Sequence, residues 1–152
     1  MSTPTNVSAD LIWEVVRNNN AYLVKRNSSG GSQFSRDPFN LTNTHSRTQA
    51  GFVNDKAVSV QPNDKGGVTV QTKKSGKANK PASHYNTHTY GKTTSNRKLY
   101  KNIADAVGKN SYRSDLNKSA VARASAIKDS QRVKKDTPAS KPRGAKARKA
   151  EV

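Results

Sequence analysis

The residue types that usually run enzyme chemistry are sparse in this chain. Three histidines, His45, His84 and His88, stand without a single cysteine among 152 residues, and the ten acids are scattered. Disulfides and thiolate metal sites are excluded. His84 and His88 are four apart, a spacing that on a helix would bring two imidazoles to one face. Their segment, His84-Tyr85-Asn86-Thr87-His88, is poor in helix formers, has no glutamate after the first histidine and offers no third ligand. Both are read as facing phosphate or a base. No P-loop and no GxGxxG turn is present, and Gly30-Gly31 and Gly66-Gly67 read as turn glycines. The expectation is a chain that is not an enzyme, with no catalytic residues, no metal, no cofactor and no small-molecule substrate.

What the chain has in abundance is positive charge. There are 28 Lys and Arg against 10 Asp and Glu, a net of +18. The charge is unevenly placed: residues 1–72 hold 7 basic and 5 acidic groups, residues 73–152 hold 21 and 5. A net of +16 on one half repels itself unless a polyanion neutralises it. Neutralising phosphates releases condensed counterions and gives salt-dependent affinity without sequence reading. Tyr85, Tyr90, Tyr100 and Tyr112 lie among these cations, and aromatics so placed stack on unpaired bases, a mode of RNA rather than duplex DNA. Tyr85 is assigned to RNA, whereas for Tyr100 stacking on RNA and packing against the helices remain equal alternatives.

The elements that must position these groups divide the chain in four. Residues 1–72 read as a small α+β core. Ser8-Ala9-Asp10 can cap a short helix through Leu11, Ile12, Val15 and Val16, although 11–16 also fits a strand. Ala21 to Arg26 reads as a strand leading to Lys25 and Arg26, and a further strand is expected within His45 to Val53. The clearest signal is a hairpin: Val58 and Val60, a turn cluster from Pro62 to Gly67, then Val68 and Val70. The valine face should meet Trp13 and its helix, giving a small antiparallel sheet covered by the first helix. Residues 73–94 read as an extended basic arm with nothing to bury. Residues 95–131 read as two helices, capped by Ser95 and Ser114, with thin apolar stripes of Leu99, Ile103, Val107 and of Leu116, Ala120, Ala124, Ile127. Such stripes predict helices that order only on RNA. Residues 132–152 read as a polybasic tail. The expected RNA-binding set is Lys25 and Arg26 in the core; Lys73, Lys74, Lys77, Lys80, His84, Tyr85 and Lys92 in the arm; Arg97, Lys98, Lys101, Arg113 and Arg123 around the helices; and Lys134 and Lys135 in the tail.

Met1 to Asp10 has neither a basic cluster nor an apolar run, and no stretch is long enough to span a bilayer, so no secretory signal and no membrane partner are expected. The ordered set of segments also resembles a known family. Leu11-Ile12-Trp13-Glu14-Val15-Val16-Arg17-Asn18 followed by Tyr22-Leu23-Val24-Lys25-Arg26, then Phe39-Asn40-Leu41-Thr42-Asn43, Lys80-Pro81-Ala82-Ser83-His84-Tyr85, Tyr112-Arg113-Ser114-Asp115-Leu116 and Ala122-Arg123-Ala124-Ser125-Ala126-Ile127 resemble the eukaryotic large-subunit ribosomal protein family numbered twenty-eight. The likeness runs over about residues 8–132. The loop Ser28 to Ser32 and the tail beyond Arg132 depart from it. The resemblance implies a structural constituent of the large cytosolic subunit, partnered by ribosomal RNA and neighbouring ribosomal proteins, cytoplasmic and assembled in the nucleolus. The alternative is a nuclear protein of chromatin or of pre-ribosome assembly with a basic tail. A related assembly factor has cysteines that this chain lacks, and a linker histone needs a larger apolar core.

Overall fold

A computed structural model describes residues 7–28, 30–136 and 144. Helix α1, Ala9–Val16, starts at Ser8, whose Oγ accepts the Leu11 N–H at 3.2 Å. Strands β1, Leu23–Lys25, and β2, Gln33–Ser35, form a small antiparallel ribbon. Strands β3, Val58–Pro62, β4, Gly67–Lys73, and β5, Tyr85–Gly91, form a second antiparallel sheet in the order β3-β4-β5. Helices α2, Asn96–Gly108, and α3, Asn117–Ser130, complete an α+β fold, the class expected.

The hairpin register pairs Val60 with Val70 and Pro62 with Val68. Its return needs glycine at position 67: φ is +102°, and a Cβ there would lie 2.1 Å from the Tyr90 carbonyl oxygen. The side chain of Gln131, at the end of α3, brackets the same residue, accepting its N–H and donating to its carbonyl, each at 2.8 Å.

The partner of the valine face differs from the expectation. Val58, Val60, Val68 and Val70 pack against Leu99, Ile103 and Val107 of α2 and against Leu116, Ala120 and Ala124. Trp13 belongs to a separate cluster with Ala50 and Val53. The reason is apolar width: α1 buries only Trp13. Each C-terminal stripe is thin, but two thin stripes laid side by side on a sheet seal one core, and the alanines of α3 let it approach closely. All of Leu99, Ile103, Val107, Ala120 and Ala124 are fully buried.

Two further differences are local. The strand expected within His45 to Val53 is replaced by turns. There the Asn54 amide donates to the carbonyls of Arg47 and Thr48 at 3.2 and 3.3 Å, and Asn54 N–H to Ala50 O at 3.1 Å; these bonds satisfy the backbone locally instead of in a ladder. Within the segment expected as an arm, short 3₁₀ turns at Ser75–Lys77 and Pro81–Ser83 lead into β5, which adds to the β4 edge from Lys73↔Tyr85 to Gly67↔Gly91. No apolar side chain is needed for this, because the ladder supplies the hydrogen bonds. No helix among the described residues is long and apolar enough to cross a membrane.

Candidate nucleic-acid interface

The fold sorts the expected cations into two groups. Three hold the protein to itself. Lys73 lies beside the Phe39 ring and donates its Nζ to the carbonyls of Gly51 at 2.5 Å and Asn54 at 3.4 Å. Burial lowers its pKa, against the opposing pull of Asp37 and Asp55. Arg113 forks onto Asp115, with bonds of 2.9 and 2.7 Å, and reaches the carbonyls of Lys56 and Thr48 at 2.9 and 2.8 Å. The Arg113 hydrogen bond is the main reason that the Asp115 pKa is lowered. Arg123 on α3 donates Nε to the Val60 carbonyl at 2.9 Å and Nη1 to Leu41 O at 3.1 Å and Asn43 Oδ1 at 3.3 Å. An isolated glance at sequence cannot separate these from solvated cations; their internal partners are backbone carbonyls, which leave no mark in residue type.

The second group faces outward. Residues 73–104 hold eight Lys and Arg and no acid. Of these, Lys74, Lys77, Lys80, Lys92, Arg97, Lys98 and Lys101 make no side-chain bond to the described residues, and all but the half-buried Lys74 are exposed. Arg97, Lys98 and Lys101 stand on the face of α2 away from Leu99 and Ile103, as the helical period dictates. Lys77 and Lys80 sit at the corners of consecutive turns, where Lys77 N–H donates to Lys74 O and Lys80 N–H to Lys77 O. Lys25 and Arg26, at the exit of β1, and Lys134 and Lys135, beyond α3, are exposed too. The tail cations from Lys141 onward lie outside the described residues.

The histidines are not brought together. His45 lies against Trp13 with centroids 4.9 Å apart, His84 stacks on Tyr85 at 4.7 Å, and His88 is exposed within β5. Burial, then the nearby Lys73, lowers the His84 pKa, which favours a neutral ring suited to stacking. Among the described residues no three His, Asp or Glu side chains are grouped to hold a metal. Tyr90 and Tyr100 pack partly against the main core. Tyr112 places its hydroxyl 3.2 Å from Ala57 O and 2.7 Å from Lys73 O, and burial raises its pKa; it ties the ends of β3 and β4 together. Sequence reasoning missed the ring partners of Tyr85: Phe39 stacks on it at 5.2 Å with an interplanar angle of 17°. An aromatic inside an irregular, Asn-rich loop was the available signal.

A folded body that exposes the cations of an acid-free stretch of sequence can neutralise phosphates, while its exposed rings can stack on bases. Comparison with known proteins agrees in kind. The sequence model of the Ribosomal L28e protein family matches residues 11–130. The chain is 49% identical over 131 residues to a protein of Schizosaccharomyces pombe named large ribosomal subunit protein eL28, covering 86% of this chain and 97% of that one. It is 40% identical over 132 residues to the Caenorhabditis elegans protein of the same name, covering 85% and 94%. The family match runs from within α1 to the end of α3 and covers most of the chain, and so the chain belongs to the Ribosomal L28e protein family.

Proposed function

We propose that this protein is a structural constituent of the large cytosolic ribosomal subunit, where it binds and stabilises ribosomal RNA through phosphate contacts and thereby supports translation. The observation that supports this most is the strip of seven outward cations between residues 74 and 101, free of acids and free of internal partners among the described residues. A net charge of +18 with such a strip needs a polyanion. The relatives at 49% and 40% identity are named as large-subunit proteins, which favours ribosomal RNA over chromatin as that polyanion. Lys25, Arg26, Lys134 and Lys135 extend the contact surface, and neighbouring ribosomal proteins are its other partners. It acts by charge and shape and has no catalytic role. It works in the cytoplasm after assembly in the nucleolus.

The test is sedimentation of the tagged protein from cell extract through sucrose at two salt concentrations. The protein travels with the large subunit at physiological salt. With an isolated ribosomal RNA fragment, the slope of log affinity against log salt is steeper than about −5, the share of the seven cations between residues 74 and 101 alone, and falls toward that value after removal of residues 132–152. Co-migration with chromatin, or affinity that ignores salt, overturns the reading.

A further inference from the structure

One groove is not explained by charge. It encloses about 840 Å³ and is bordered by the end of α1 and the following turn, by Asp37 to Phe39, and by the stretch from Ala78 to Tyr85. Five aromatic rings line it. His84, Tyr85 and Phe39 form a stacked column, with centroid spacings of 4.7 and 5.2 Å. Tyr22 and Phe52 form a tilted pair 5.4 Å apart. Rings that serve only as core are sealed from water; here Tyr85 is 39% exposed.

The groove is also preformed. Asp37, 3% exposed, accepts the backbone N–H of Phe39 on one carboxylate oxygen and that of Phe52 on the other, each at 2.9 Å. One side chain thus ties the two aromatic sets together. Asp37 is the sole acid among the groove's lining residues, and both of its oxygens are engaged. The one lysine among the lining residues, Lys73, is held by the carbonyls of Gly51 and Asn54, and the exposed Lys77 and Lys80 flank the lining residues Ala78 and Asn79 in sequence, so unengaged cations adjoin the aromatic walls. Asn19 and Asn79 add amide groups that make no bond to the described residues.

We propose that this groove receives a single unpaired nucleotide of ribosomal RNA, its base extending the ring column at the His84 end and its phosphate against Lys77 or Lys80. The inference rests on the RNA-binding reading above and specifies what one part of that surface recognises. Charge complementarity selects the occupant: every base has a π-face and travels with a phosphate, matching aromatic walls that adjoin exposed lysines. A flat partner can continue the ring column, and the one acid and the one lysine among the lining residues, Asp37 and Lys73, are both engaged internally, so no directed charge selects a particular base. An acidic peptide satisfies the lysines but leaves the rings without a flat partner.

The test uses the full chain and two RNA hairpins that differ only in one bulged 2-aminopurine nucleotide. The bulged hairpin is expected to bind about tenfold more tightly at equal salt, with its 2-aminopurine fluorescence quenched by stacking. Tyr85→Ala removes both the preference and the quenching, and Tyr85→Phe retains them; circular dichroism checks that each variant is folded. Equal affinity for the two hairpins, or a preference that survives Tyr85→Ala, overturns the groove assignment while leaving the phosphate-binding reading standing. Binding to neither hairpin also overturns it, and sedimentation with the subunit then decides separately whether that reading survives. In intact subunits, ultraviolet crosslinking attaches a nucleotide to the 81–85 peptide; a protein crosslink there instead refutes the RNA occupant.

Discussion

Replacing Arg123 separates a cation that holds the fold from one that holds RNA. The sequence places it among the RNA contacts, whereas its guanidinium joins α3 to the Val60 carbonyl of β3 and to the 41–43 loop through three acceptors. A hydrogen bond from a charged donor contributes about 1.5–3 kcal/mol. The two carbonyl bonds are part-buried and count at the lower end; the Asn43 bond is exposed and counts for little. Freeing a long side chain returns on the order of 1 kcal/mol of rotamer entropy. Arg123→Met, which keeps the aliphatic stem, is thus expected to destabilise the chain by about 2 kcal/mol, a shift of roughly 1 M in a urea midpoint. Arg123→Lys keeps the charge but loses the fork, so it is destabilised similarly. Urea titration by circular dichroism gives the stability, and RNA titrations at several salt concentrations give the slope. Neither variant is expected to change that slope, whereas a lost phosphate contact lowers it by about 0.7–0.9. If Arg123→Met leaves the midpoint in place and flattens the slope by that amount, the internal role assigned to Arg123 is wrong.

Two other expectations follow from the core and from the Asp115 pair. Ile103, fully buried beneath the valine face, should lose about 3 kcal/mol on replacement by alanine, and hydrogen exchange on the RNA-free chain should find slow amides within Leu99–Val107 and Ala120–Ala124; rapid exchange there would mean that these helices do need RNA to form. For pH, Arg113 holds the Asp115 carboxyl below its ordinary 3.8, so the folded state favours the ionised form. That stability is present above 3.8 and is lost as pH falls through the lowered value. Asp115→Asn should lower Tm at pH 7, with the gap to the unsubstituted chain closing as pH falls through the lowered Asp115 value, and a gap that stays the same from pH 7 into acid would remove the pair from the account.

How much could be read in advance depended on whether the information was local. The α1 cap at Ser8, the hairpin between Val58 and Val70 and the stripe Leu99, Ile103, Val107 are periodic patterns or turn chemistry within a few residues, and each appears where its residues place it. Which surfaces meet is not local. The choice between Trp13 and Ile103 as partner of the valines depends on the summed apolar width of two helices separated from the hairpin by tens of residues. Strand β5 was illegible for a related reason: Tyr85 to Gly91 has almost no alternation of burial, and what makes it a strand is the free edge of β4.

The same limit governs the interface, and it bears on how a cation should be judged. Residue type marks the basic half as rich in charge, but it could not tell Lys73, held by two carbonyls, from Lys77, one turn away and exposed. The distinction is energetic. A lysine whose ammonium already satisfies buried carbonyls would leave them unpaired on turning to a phosphate, a loss of about 1–3 kcal/mol for each, whereas Lys77 exchanges only water and counterions. Internal partners therefore predict non-involvement in RNA more surely than exposure predicts involvement. By this criterion Lys73, Arg113 and Arg123 hold the fold, Lys73 at the groove itself, and Lys74, Lys77, Lys80, Lys92, Arg97, Lys98 and Lys101 are the cations left to meet phosphate.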